Sequence, residues 1–406
     1  MIKRSFIFTL FFFLVYLEPV SIFGLKISLL WKGTVLGCLL LVAISDIRIT
    51  KLNLFYYLYC IKHIVSLGAL KSFSESFMEV IKTSTIPLIL HFFGTIYNRS
   101  PDRANILVEK SLSFISISLL LFNIPFIFGV LPELSSGIAL TALGGDSTGY
   151  SGPFQNGHAA SISMGAIGLI MLYKFTLQTK RITRTLYLSL FIFSLIVIFN
   201  TLVRTGLMMI FIGIFVYLYT FFGIKRILRL LPIGLLIAII VAFLVSGDEQ
   251  LMMRLFDGSV YEREYDHWFY NIGSGRLWMA WANLVYWYES GIISWLFGTG
   301  IGPSKDNMEV VVGIRVFSHN GFVDALTHNG IIGLYLYLMV LTLSYKLIAS
   351  CKNKDKRLYS LACSMFFSYL LFVFFQGGSR FFLDVLFSLT LLQLKFSNSN
   401  EPERSR

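Results

Sequence analysis

The chain has 406 residues, of which 56% are hydrophobic and 14% charged, and its formal net charge is +12. That composition excludes an ordinary soluble domain, where about a quarter of residues are charged. Apolar runs of roughly 17–25 residues recur, the length a helix needs to cross a bilayer. They predict an all-α polytopic membrane protein, with residues 1–406 forming a single integral membrane domain.

In chain order, twelve spans are predicted, near residues 5–23, 27–45, 53–70, 78–97, 111–130, 158–174, 185–203, 206–223, 230–246, 319–345, 358–376 and 380–395. Lys3 and Arg4 precede the first apolar run, as in a signal peptide. Glu18 and Pro19 stand where a small-residue cleavage site would be needed, so an uncleaved first span is expected. Polar residues interrupt spans three and four at Lys62, His63 and Lys82. The basic residues set the orientation. With a cytoplasmic N-terminus, the alternate loops collect Lys180, Arg181 and Arg184, then Lys225, Arg226 and Arg229, then Lys352, Lys354, Lys356 and Arg357. In total, 22 of the 34 Lys and Arg fall on that side. Both termini are therefore expected in the cytoplasm of a multi-pass inner-membrane protein. The net charge reflects topology and attraction to anionic membrane lipids, and no nucleic-acid partner is expected.

Two exported loops follow from this topology. Residues 131–157 form the first, ending in GGDSTGYSGPFQNGH, a turn-rich composition. Residues 247–318 form the second and by far the longer. Five of the six tryptophans lie in it, Trp268, Trp278, Trp281, Trp287 and Trp295. Within it, residues 276–298 have helical composition, and the Trp and Tyr content suits a helix lying in the membrane interface. A thirteenth span is the alternative, but it would invert the Lys352–Arg357 cluster. The four cysteines, Cys38, Cys60, Cys351 and Cys363, fall in spans or on the cytoplasmic side. No disulfide is expected, no Cys/His cluster has metal-ligand spacing, and no metal or other cofactor is expected.

The residues able to carry chemistry gather at the exported ends. His319 is the second residue of SHNGFVDALTHNGIIG, residues 318–333. A neutral imidazole can accept a proton from a sugar hydroxyl. Asn320 can cap the following helix or orient the ring. Gly330 and Gly333 would let a neighbouring helix approach. His328 repeats the His-Asn dipeptide nine positions after His319. On one continuous helix the two would point about 180° apart. His328 would then lie deep in the bilayer as a buried partner of Asp324. Arg204, in NTLVRTG, and Arg276, in SGRLWMAW, are cations on the side that topology disfavours, and their planar forks suit phosphate oxygens. Arg315 and Arg380 are further candidates, the latter in the short turn FQGGSRFF. His158 either binds sugar hydroxyls or caps span six. No phosphate-cradling glycine loop is present, which argues against ATP hydrolysis and nucleotide-sugar use.

His-Asn, nine residues, Gly, two residues, Gly resembles the periplasmic signature of bacterial O-antigen polymerases and O-antigen ligases. GPFQNGH, NTLVRTG, SGRLWMAW and the GTGIG turn support it by order and by placement against the spans, from Gly152 to Arg380. The resemblance implies metal-independent glycosyl transfer at the periplasmic face. It implies His319 as base and Arg204 and Arg276 as the catalytic pyrophosphate clamp; Arg315, Arg380, Asn320 and His158 stand beside them as candidate substrate-binding residues. The donor it implies is an oligosaccharide on undecaprenyl pyrophosphate, with a chain-length regulator and a flippase as further partners. Polymerase is favoured over ligase, since no exposed surface suits a lipid A–core acceptor. A non-enzymatic transporter or flippase is the rival class, but such proteins often show repeated halves, and none is visible here.

Overall fold

The computed structural model describes residues 4–19, 21–22, 25–44, 48–66, 68, 71–133, 149–154, 156–229, 275–313, 315–377 and 380–399. It is an all-α polytopic architecture. The helices are α1 (Arg4–Tyr16), α2 (Ile27–Ile44), α3 (Lys51–Lys62), α4 (Phe73–Thr83), α5 (Thr85–Arg99), α6 (Pro101–Phe122) and α7 (Ile124–Ile127). They continue as α8 (Gly157–Leu177), α9 (Arg181–Asn200), α10 (Arg204–Phe222), α11 (Arg276–Glu289), α12 (Ile292–Phe297) and α13 (Ile301–Val312). The last three are α14 (Gly321–Ala349), α15 (Lys356–Gln376) and α16 (Phe381–Ser399). A two-residue antiparallel ladder, Ser21–Ile22 with Leu25–Lys26, links α1 to α2.

Seven described helices are long and apolar enough to cross a membrane: α2, α6 with α7, α8, α9, α10, α14 and α15. The pair α4 and α5, bent by 41°, makes an eighth if it counts as one span. The polar interruptions read from the sequence fall at helix ends. α3 stops at Lys62, and the bend after α4 follows Lys82 by two residues. The predicted ninth span, 230–246, lies outside the described residues, as do 247–274 of the long loop and 134–148 of the first.

The chain packs as two compact units. One comprises Asn123–Trp278 with Asp355–Leu371. Its axis is α8, whose span is 78% buried, against 17% for α9. Small residues explain that difference. A Cβ added at Gly168 would meet the Ser194 hydroxyl on α9, and one at Gly206 would meet Ser161. Close approach of backbones through Gly and Ser is how helices pack where lipid supplies no hydrophobic drive. α9 keeps Ile182, Leu186 and Ile192 exposed, as a lipid-facing helix would.

The other unit comprises Met1–Phe122, Met279–Lys354 and Phe372–Arg406. Here α16 packs against α5 and α6 and is buried along most of its length. The tryptophan-rich segment is not one helix. Gly291, at φ 87°, divides it into α11 and α12. The Trp287 and Trp295 indoles donate across that turn to the Ser294 and Tyr288 carbonyls, at 3.0 and 2.7 Å.

Candidate active site

The turn before α14 carries His319. Asn320 is the N-cap, its side chain accepting from the Phe322 and Val323 amides at 3.1 Å each. The capping alternative for Asn320 is thus the one observed. Ser318 donates its amide (3.2 Å) and its hydroxyl (2.7 Å) to the Asp324 carboxylate. Between these two held residues His319 adopts φ 58°, in the left-handed region. A non-glycine residue there costs on the order of 1–3 kcal/mol, and such residues cluster at functional sites. His319 is half-buried and lies outside the helix. The 180° separation from His328 therefore does not hold, because it needs both residues on one helix.

Nor is α14 continuous. Gly330, at φ 71° and ψ −173°, breaks it. In an intact helix the Thr327 and His328 carbonyls would accept from amides four residues on. Here Thr299 donates its amide (2.8 Å) and hydroxyl (2.9 Å) to the Thr327 carbonyl, and the Gly300 amide donates to His328 at 3.2 Å. The GTGIG turn thus caps a helix break. A Cβ at Gly330 would stand 2.3 Å from the Leu296 carbonyl oxygen, and one at Gly298 2.1 Å from that of His328. Gly330 admits the end of α12, in keeping with the close approach expected of it. Gly333 instead makes room for Asn329 of its own chain, 2.1 Å from an added Cβ, because the break folds the preceding turn back. Residues 331–349 beyond the break suffice for a hydrocarbon core of roughly 30 Å at 1.5 Å per residue. His328 and Asp324 precede that stretch, so the deep placement expected for His328 is not required.

His328 Nε2 lies 3.8 Å from Asp324 Oδ1, both side chains buried; the expected pair is present. Asn329 Nδ2 meets His63 Nδ1 at 3.2 Å, and Lys62 donates to the Phe297 carbonyl at 2.8 Å. The polar residues that interrupt the predicted third span therefore fasten α3 to this break.

The candidate arginines differ in setting. Arg315 pairs with Glu75 of α4 and, through Nε, with Asp306 at 2.7 Å. Lys305 lies 3.8 Å from Glu75 and 4.3 Å from the Phe317 ring centroid. Partial burial lowers the pKa of Lys305, while Glu75 opposes the shift. Arg315 is thus engaged by two carboxylates, and the substrate contact expected of it would have to displace them. Arg380 immediately precedes α16, with Glu79 and Asp384 as its neighbouring carboxylates; 378–379 of its turn lie outside the described residues.

In the other unit, Arg204 is the first residue of α10, two after Leu202, which also has a left-handed φ, 56°. His158 is the second residue of α8, and Asn156, not His158, caps that helix, accepting from the Ala159 amide at 2.8 Å. The capping alternative for His158 is therefore corrected. A Cβ at Gly157 would lie 3.4 Å from the Thr201 carbonyl and 3.5 Å from Val203. The start of α8 thus lies against the turn that leads into α10. The loop end preceding α8 is buried at Tyr150, Ser151 and Phe154. Tyr150 bonds Asn123 at 2.8 Å, and Ser151 bonds Glu133 at 3.0 Å. Arg276 opens α11 directly after Gly275, at φ 78°.

Residues 189–338 match a family model described as O-antigen ligase. Over that segment the chain is similar to the O-antigen polymerase and ligase family. It contains Arg204, Arg276, Arg315, His319 and Asn320, and leaves His158 and Arg380 outside. Members are membrane glycosyltransferase-like enzymes, and the family implies lipid-linked oligosaccharide substrates. No curated protein matches the chain. Sequence reasoning missed Ser318, Glu75 and Gly377. Ser318 carried a local signal, a hydroxyl directly before His-Asn, whereas Glu75 reaches Arg315 across 240 positions.

Proposed function

We propose that the protein is an O-antigen polymerase. It transfers a glycan from undecaprenyl pyrophosphate onto the acceptor sugar of another lipid-linked repeat. His319 takes the proton of the acceptor hydroxyl. The oxygen attacks the anomeric carbon with inversion, the glycosyl–phosphate bond breaks, and Arg204 and Arg276 stabilise the departing pyrophosphate. His158, Asn320, Arg315 and Arg380 contribute substrate contacts, and no metal is used. A chain-length regulator and a flippase are its expected partners.

One observation carries this reading. The non-glycine residues with left-handed backbone, among those described, are Leu202 and His319. They fall in the two motifs that hold the proposed clamp and base, both inside the matched segment. Deletion in the native host tests the assignment. Lipopolysaccharide bearing a single repeat is the expected result. A core with no repeat means a ligase or a block upstream, and the family match is compatible with either polymerase or ligase. Unchanged surface glycan overturns both.

We also propose an inner-membrane location with cytoplasmic termini and an exported site, the chain acting as one integral domain. Reporter fusions at Asp306 and Lys354 then give opposite compartment signals; the same signal at both overturns that topology.

A further inference from the structure

We infer that Asp324 is a positioning residue for His319, acting through Ser318; this rests on His319 being the base. The Asp324 carboxylate accepts both the Ser318 amide and the Ser318 hydroxyl through one oxygen, Oδ1. The hydroxyl oxygen in turn accepts the Asn320 amide at 3.3 Å. Asn320 is itself fixed by the Phe322 and Val323 amides. His319 therefore sits between two residues whose backbones are each tied to the first turn of α14. Its left-handed φ is what remains when both neighbours are held.

Gly377 closes the bracket from the far side. An added Cβ there would lie 2.8 Å from Asp324 Oδ2, 3.2 Å from the Gly321 amide and 3.3 Å from that of Asn320. Bare backbone at Gly377 thus lets the chain after α15 cover the carboxylate and the turn together. Asp324 is buried, and so is Ser318, so water does not compete freely for these bonds. The carboxylate faces His328 from its own helix, and Glu79 and Lys305 act on it from α4 and α13. None of these groups bonds Ser318; its hydroxyl has the Asn320 carbonyl as a second acceptor at 3.3 Å, longer than the 2.7 Å to Asp324, which also takes the Ser318 amide.

The test reads His319 itself as well as transfer. In the purified full-length protein, the rate at which diethyl pyrocarbonate modifies His319 is measured by mass spectrometry, with His158 as internal control. Glycan polymer is measured in the native host carrying each variant. D324A is expected to change the His319 rate severalfold, to leave His158 unchanged, and to lower transfer by roughly 10²-fold, as small misplacements of reacting groups do. D324N keeps a carbonyl acceptor for Ser318 and is expected to restore both. S318A is expected to give the same change in smaller measure. A wild-type His319 rate in D324A overturns the inference, as does a joint change at His319 and His158, which would mean general loosening. If D324A fails to accumulate, a wild-type His319 rate in S318A overturns it. H319A separates the two readings. If H319A keeps full transfer, the base assignment falls, while the modification rates still decide whether Asp324 holds the turn.

Discussion

The turns at His319 and at Leu202 share a backbone conformation and differ in what holds it. At His319, side chains do the holding, namely the Asp324 carboxylate on Ser318 and the Asn320 amide cap. At Leu202, the frame is backbone, one neutral hydroxyl and small-residue packing. The Leu202 amide donates to the Phe199 carbonyl at 3.1 Å, the buried Thr201 hydroxyl donates to the Ile198 carbonyl at 2.7 Å and accepts the Val203 amide at 3.3 Å, and Gly206 presses on Ser161. The left-handed residue is the candidate base in one turn, and stands two residues before the candidate clamp in the other. A proton acceptor needs its ring within hydrogen-bond reach of one hydroxyl. A phosphate-binding cation tolerates more displacement, because charge acts over distance. The turn carrying the candidate base is accordingly fixed through a charged carboxylate, and the turn before the candidate cation through neutral groups.

The most severe test of this comparison is H319N. Asn accepts the left-handed backbone readily, so the turn and its bracket survive while the base is lost. We expect normal accumulation in the membrane and a fall in transfer of about 10²–10⁴, read as disappearance of the glycan ladder. A normal ladder in H319N would end the base assignment. H328A provides the contrast, costing about 1–3 kcal/mol of stability through a lost buried partner and sparing transfer per folded molecule.

R204A and R276A come next. Each is expected to reduce transfer by about 10²–10³, the usual effect of removing one donor to a developing charge. R204K and R276K should recover part of it, since an ammonium keeps the charge and loses the fork. Full transfer in both Ala variants at normal protein level would remove the clamp. Equal loss in the Ala and Lys variants would show that fork geometry, and not charge, decides, contrary to the contrast drawn between the turns.

Gly330 tests the frame beneath the histidine turn. G330A places a Cβ at positive φ against the backbone of Leu296 and Gly298, which no rotamer change relieves. A loss of about 2–4 kcal/mol is expected, measured as lower membrane level and a lower thermal midpoint in detergent. Wild-type stability in G330A would mean that α12 does not dock on the break.

This break marks where the sequence stopped being legible. Helical spans, the end of α3 at Lys62, the end of α4 one residue after Lys82, and the Asn320 cap all follow from local pattern, since each depends on residues within one turn. The break at Gly330 does not, because its compensation comes from Thr299 and Gly300, some thirty positions earlier. Gly330 follows His328 and Asn329 and leads straight into an apolar run, so it reads as part of a span until its docking partner is known. His319 is legible as a candidate for chemistry, but its left-handed backbone is not, since that depends on Ser318, Asp324 and Gly377 together. The tryptophan-rich segment read as one interfacial helix for a similar reason. Gly291 is a single residue, and the indole bonds that fold α12 back each reach seven residues along the chain, beyond a single helical turn.

Arg315 should give the smallest effect, and it separates a clamp from a strut. Its motif context made it a substrate-binding candidate, yet Glu75 and Asp306 already engage it. Its side chain is 39% exposed, and ion pairs of that kind contribute about 0.2–1 kcal/mol. If Arg315 only ties the loop to α4, R315A and E75Q lower stability alike and slightly, and transfer per folded molecule stays at the wild-type level. If Arg315 also binds substrate phosphate, the two variants part. R315A then loses transfer by about tenfold, one charged hydrogen bond's worth, while E75Q frees the guanidinium and keeps or raises transfer. Binding that releases Glu75 would also weaken with salt differently in wild type and E75Q, since screening acts on the competing ion pair as well as on the ligand. Parallel behaviour of the two variants in both measurements would leave His319, Arg204 and Arg276 as the groups that act on substrate and Arg315 as part of the frame that holds them.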